Sequence, residues 1–398
     1  VELPADRLPP YPLGEITELV VKARLSGRDI VDFSQMNPDL GAPAVAVDKA
    51  IQSLLLPHHH RYASSQGMTR LRSAFCGFYR DRFDVELQPD TQCVVTMGVK
   101  EGLGHAMLSL FQAGDQVVLL TPSYPVHSAA VLLSGARYLP LSLYPDWEEA
   151  EGTGYQLTEE SENFFGRLEN LFEHAWPRPK GIVLSFPHNP TGSTVTQGFF
   201  DRLAEFCRRY ESLLLHDFAH AEMFFDRSSS PSLLNSTIDG ALEFYSFSKS
   251  FQMPGWRLGF ALGDARLVSA LKRVKSYLDF GTFQPVQLAA VAVLEHAVPA
   301  LDEYRDVYRS RSELLSQGLR ELGWKICEQR VCSFIWAGIP ERLDAICSQG
   351  LARRLIEEFG VVVSPGEGFD PAADRFMRFT LGESEPRIRE GLRRMSKL

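Results

Sequence analysis

From about residue 94 onward the chain alternates short apolar runs with amphipathic stretches. Val94–Met97, Gln116–Thr121, Arg137–Leu143, Gly181–Phe186, Leu213–Asp217, Leu242–Phe247 and Leu258–Leu262 read as strands. Most are rich in Val, Leu and Phe without strict alternation, as expected of strands covered by helices on both faces. Helical periodicity falls between several of them, as at Lys100–Phe111 and Gln197–Tyr210. This alternation predicts an α/β domain around a mainly parallel sheet. A long helical pattern, roughly Val286 to Leu322, then leads into a smaller α+β domain. Its strands are expected at Cys332–Ala337 and Phe376–Thr380, beside helices at Leu343–Glu358 and Glu385–Met395. The first forty-odd residues, with Pro9-Pro10-Tyr11-Pro12 and Asn37-Pro38-Asp39, carry one helix near Ile16–Leu25 and read as an arm across the domain junction. The expected division is 1–45 for the arm and part of the small domain, 46–285 for the large domain, and 286–398 for the linking helix and C-terminal small domain.

Composition changes this picture little. With 398 residues, 44% hydrophobic and 23% charged, the chain suits a soluble protein of more than one domain. A net charge of -9 argues against a nucleic-acid surface. Six cysteines, at 76, 93, 207, 327, 332 and 347, form no CxxC pair and read as reduced thiols, neither a disulfide framework nor a zinc site. His58-His59-His60 has no acidic or cysteine partner nearby in sequence, so a helix end is favoured over a metal site, and no metal is expected. There is no basic leader with an apolar core and no apolar run of 18 residues, which favours a cytoplasmic, membrane-free location.

The chemistry concentrates at Ser246-Phe247-Ser248-Lys249, with Arg257 eight residues after the lysine. A lysine amine forms a Schiff base with a carbonyl only when it is held rigidly and kept partly out of water. Two hydroxyls and a guanidinium beside it would cradle a phosphate dianion. A reactive amine next to a phosphate site points to pyridoxal 5'-phosphate (PLP). In open α/β sheets ligands gather at the carboxyl ends of strands. The first strand ends in Gly98-Val99-Lys100, a glycine turn opening a helix, whose free N–H groups suit the phosphate. Tyr124 ends the second strand and is placed to stack on a flat ring. Asp217 ends the fifth and is placed to keep a pyridine nitrogen protonated.

These segments, with Asn189-Pro190-Thr191-Gly192 and Arg375-Phe376-Met377-Arg378, resemble the motifs of the class I and II aminotransferases, fold type I of the PLP enzymes. The resemblance runs in family order from about Leu8 to Arg394. It is closest to the alanine and LL-diaminopimelate type, through Arg7-Leu8-Pro9-Pro10-Tyr11, Asp32-Phe33-Ser34, Lys275-Ser276-Tyr277-Leu278-Asp279 and Gly281-Thr282-Phe283. It implies that Asn189 donates to the ring oxygen O3' and that Arg378 grips the substrate α-carboxylate. It also implies that His60-Arg61-Tyr62 reaches the phosphate of a neighbouring subunit, making a homodimer the working unit.

Two positions depart from the family. Met36 replaces a glycine just before Asn37-Pro38-Asp39, where the loop meets the substrate. His220 replaces the tyrosine that shares the O3' contact. The leading expectation is amino-group transfer from an L-amino acid to a 2-oxo acid through Lys249. Met36 and His220 motivate the alternative of a specialised PLP enzyme carrying out β- or γ-elimination, replacement, cyclisation or oxidation. No arginine lies between Lys275 and Gln287, where some dicarboxylate-specific relatives place one, which disfavours aspartate.

Overall fold

Seven of the apolar runs become one sheet: β1 Cys93–Thr96, β2 Gln116–Thr121, β3 Arg137–Ser142, β4 Gly181–Ser185, β5 Leu213–Asp217, β6 Ala241–Ser246 and β7 Gly259–Gly263. The computed structural model describes residues 4–9, 14–144, 156–226, 230–326, 330–343 and 345–398. Residues 10–13 of the expected arm lie outside the described residues. The strand order is β1-β7-β6-β5-β4-β2-β3. β7 runs antiparallel to β1 and β6, and the other pairs are parallel.

Both faces of the inner strands are dry, which is why they lack alternation, whereas the edge strand β3 is largely exposed. Ile182 and Leu184 pack into one apolar cluster, and Val183 between them packs into another. On the first face Phe75 of helix Thr69–Phe83 stacks on Phe260 of β7 at 3.6 Å. Helices Val99–Leu110 and Ala265–Leu278 bring Leu103, Met107, Val268 and Leu271 to the second face.

A second sheet, β8 Lys325–Ile326, β9 Phe334–Gly338, β10 Ser364–Pro365 and β11 Phe376–Thr380, is antiparallel in the order β8-β9-β11-β10. The arm is tied into its core. Val31–Asp32 pairs in parallel with Val361–Val362, and Phe33 packs on Phe379. The bidentate pair of Arg311 with Asp39, at 2.7 and 2.8 Å, holds the loop carrying Met36.

Three elements differ from the periodicity. The pattern from 286 to 322 is two helices, Gln284–His296 and Ala300–Glu321, broken before the second by Pro299, which has no N–H to donate. The strand expected from Cys332 starts at Phe334, because Cys332 has a φ of +78°, outside the extended region. The pattern from 343 to 358 yields helix Ser348–Arg354 and a wider π turn at Leu355–Phe359. His59 and His60 bond the carbonyls of Ser53 and Leu54 at the end of helix Ala44–Leu54. Among the described residues no helix is long and apolar enough to cross a membrane.

Candidate active site

The carboxyl ends of β1, β4, β5 and β6 point the same way and open onto a cavity of about 380 Å³. Val99, Lys100, Tyr124, Asn189, Asp217, His220, Ser246, Ser248, Lys249, Arg257, Arg378 and Met36 all line it. Three positions singled out from the sequence do not. Gly98 lies behind the wall at the start of helix Val99–Leu110. Asn37 is exposed beside the lining residues Gln35 and Met36. Tyr62 is 81% exposed and stacks on Phe280 at 4.2 Å, outside its own cavity.

Lys249 reaches the cavity from a single helical turn, Phe247–Ser250, capped by Ser246, whose Oγ accepts from Ser248 N–H at 3.1 Å. The turn is pinned from behind: Gln252 donates to the Lys249 carbonyl and Tyr308 donates to Gln252. The lysine Nζ donates to the carbonyl oxygen of Met36. Burial, then the charges of Arg378 and Arg257, lower its pKa to about 7.

Asp217 is buried at the end of β5, with Oδ2 2.8 Å from His127 Nε2 and Oδ1 accepting from Ala219 N–H at 3.1 Å. Burial alone would raise its pKa; the His127 contact and the Ala219 bond outweigh it, so the carboxyl sits below its usual range. His220 is also buried, edge-on to Phe334, and its Nδ1 has no hydrogen-bond partner among the described residues. Burial and then the charge of Lys249 push its pKa down to about 3, which keeps the ring neutral.

The bonds that aim Arg378 include those from Nη1 to Asn189 Oδ1 at 2.9 Å, from Nη2 to the Ser34 carbonyl at 2.8 Å and from Nη2 to Ser364 Oγ at 3.4 Å. With its oxygen so engaged, Asn189 has its amide NH2 left to offer the cavity. Arg257 donates to the carbonyls of Pro254 and Met97, at 2.9 and 3.2 Å. Gly98 has a φ of +83°, and a Cβ there would lie 2.6 Å from the Arg257 guanidinium. Glycine is therefore required where the turn and the arginine meet.

Sequence reasoning missed His127, which is 3% exposed and packs edge-on to Tyr124. A signal existed, because a histidine in the first turn of the helix after β2, opened by Pro125, faces back toward the strand ends. It also missed the carbonyls of Ser34 and Met36, which no side-chain pattern announces.

Residues 28–395 match the family described as aminotransferase class I and II. The glutamate-pyruvate aminotransferase AlaC of Escherichia coli K12 is 40% identical over 98% of this chain and 91% of its own length. An LL-diaminopimelate aminotransferase of Desulforudis audaxviator is 34% identical over 98% of this chain and 95% of its own. Among solved structures, substrate-bound BacF from Bacillus subtilis superposes with a TM-score of 0.88 at 27% identity, covering 100% of this chain and 97% of that one.

Proposed function

On the premise that this chain belongs to the class I and II aminotransferases and moves amino groups with PLP, we propose how its residues divide that work. The residues fit the cofactor. Its phosphate would be held by the amides of Gly98, Val99 and Lys100, the hydroxyls of Ser246 and Ser248, and Arg257. The ring would be held by Tyr124, which offers a stacking face, Asp217, which offers a carboxylate to the ring nitrogen, and Asn189 and His220, which offer donors to the ring oxygen. Bound there, PLP supplies an electron sink conjugated to the amino acid nitrogen.

The observation that carries this reading is one amine, Lys249, with its pKa lowered to about 7, facing Asp217, Arg257 and Arg378 in a single cavity. Near neutral pH a substantial share of Lys249 is unprotonated, so its Nζ can take the α-proton from the substrate and return it elsewhere. Asp217 keeps a negative charge at the pocket floor, and the His127 contact fixes which way it points. Arg378, already oriented by Asn189 and Ser34, receives the substrate α-carboxylate with its guanidinium fork. Met36 and Asn37 border the substrate side, and Met36 fills space that the family leaves open. His220, neutral and without a partner at Nδ1, offers the ring oxygen a hydrogen bond in place of a tyrosine.

Tyr62 and its exposed aromatic neighbours complete the site of a second copy, so the working unit is a homodimer with arm, large and small domains divided near residues 45 and 285. Glutamate and pyruvate, which name the E. coli relative, are the first substrate pair to test. The comparisons give the elimination, replacement, cyclisation and oxidation alternatives no support. The test is a single-turnover spectrum. Glutamate alone converts the bound cofactor to its amine form, pyruvate restores it, and Lys249→Ala abolishes both. Steady consumption of an amino acid without an oxo-acid requirement would overturn the assignment.

A further inference from the structure

Lys275 belongs to a segment whose sequence resemblance was plain but whose role the site above does not use. Its side chain is 1% exposed, near the end of helix Ala265–Leu278 on the far side of the phosphate turn. Its ammonium donates to Glu101 Oε1 at 2.7 Å and to both Asp279 oxygens, at 3.2 and 3.1 Å. Glu101, Asp279 and His105 have ligand atoms within 4.8 Å of one another, spaced as if for a metal ion. The ammonium already supplies the cation there by bonding both carboxylates.

Burying such charges costs several kcal/mol each, and an apolar pair would join two helices more cheaply. What such a cluster does fix is the relative placement of the groups it bonds. Here that geometry is traceable bond by bond. Glu101 stands in the first turn of helix Val99–Leu110, and its other oxygen accepts from Met97 N–H at 2.8 Å. The Met97 carbonyl accepts from Arg257. Gly98 lies between, where a Cβ would displace that guanidinium. Burial opposes ionisation of Glu101, but the close contact with His105, the Lys275 ammonium and the Met97 N–H hold its pKa to about 2.

We propose that Lys275 is a positioning residue for the phosphate-binding turn, acting through Glu101 on Met97 and so on Arg257. Asp279 is the second anchor that keeps the ammonium in place. This role presupposes the phosphate site at Gly98 and Arg257 proposed above.

The experiment compares affinity of the apoenzyme for PLP and for pyridoxal, which lacks the phosphate, by fluorescence titration. In Lys275→Met and in Glu101→Gln the Kd for PLP should rise about tenfold, while that for pyridoxal stays within about twofold. Equal weakening of both ligands marks a merely structural cluster and overturns the proposal, as does an unchanged Kd for PLP. Should Lys275→Met fail to fold, Glu101→Gln decides alone, since it keeps size and polarity. Arg257→Ala separates the two levels. If it leaves the preference for PLP over pyridoxal intact, the phosphate site itself is misplaced; if it abolishes that preference, the Lys275 result stands on its own.

Discussion

Lys249 and Asp217 show how opposite demands are met by side chains lining one cavity. The lysine must lose its proton easily, and burial with two guanidinium neighbours arranges that. The sign of the stability effect follows. A lysine held near pKa 7 in the folded apoenzyme and at 10.5 when unfolded leaves the unfolded chain binding more protons between those limits. Stability relative to Lys249→Met should therefore rise with pH across that window, by roughly 1.4 kcal/mol per unit, and flatten below it. Urea midpoints of the two apoproteins at pH 6, 8 and 10 measure it, and a constant difference would refute the depressed pKa. The aspartate must stay ionised although buried, and His127 supplies the contact that allows it. In His127→Leu the carboxyl should drift toward its neutral form, lowering kcat on the order of tenfold or more with a smaller change in KM. A parallel shift in the pH dependence of the cofactor's visible absorbance distinguishes this from simple misfolding. Lys249, Asp217, Asn189 and Arg378 were legible because each sits beside its motif neighbours in the chain. His127 was not, since the partner that gives it meaning is 90 residues away.

Elements were legible where burial on two faces wrote itself as an unbroken apolar run, which is why the strand limits predicted for the large sheet fall within about a residue of those observed. They were not legible where backbone geometry decides. Two-residue strands such as Val31–Asp32 are too short to carry a period, yet that ladder carries the Met36 loop to the cavity. The break at Pro299 was written in the residue itself but hidden by helical periodicity on both sides. Gly98 combines a written residue with an unwritten reason. Its φ of +83° is a conformation that side chains resist at about 1–3 kcal/mol, and a Cβ there would push the Arg257 guanidinium aside. Gly98→Ala should thus lower the denaturant midpoint and, out of proportion to that loss, release PLP during gel filtration. Retention of PLP in a destabilised Gly98→Ala protein would mean that the turn does not hold the phosphate.

At the scale of the molecule, the informative feature is a surface that ought not to face water. Tyr62, Tyr277, Phe280 and Phe283 are 81%, 87%, 63% and 42% exposed, and Tyr62 stacks on Phe280 while His60 packs on Phe283. Aromatic groups gathered this way mark a docking surface. The fold also fixes their backbone tightly, since a Cβ on Gly281 would lie 1.8 Å from the Ser64 carbonyl. A rigid exposed aromatic face beside a tyrosine outside its own cavity is what a second copy would need in order to share residues between sites. Phe280→Asp should therefore sediment as a monomer and lose activity, whereas Tyr62→Phe should remain dimeric with weaker PLP binding. A mixing experiment then separates sharing from mere contact. Lys249→Ala and Tyr62→Ala are each impaired alone. If Tyr62 works in trans, subunit exchange between them rebuilds one intact site per hybrid, combining Lys249 of one copy with Tyr62 of the other. Random exchange makes half the dimers hybrids, so activity should recover to about one quarter of wild type. If Tyr62 works within its own chain, every hybrid site keeps one lesion and no activity returns.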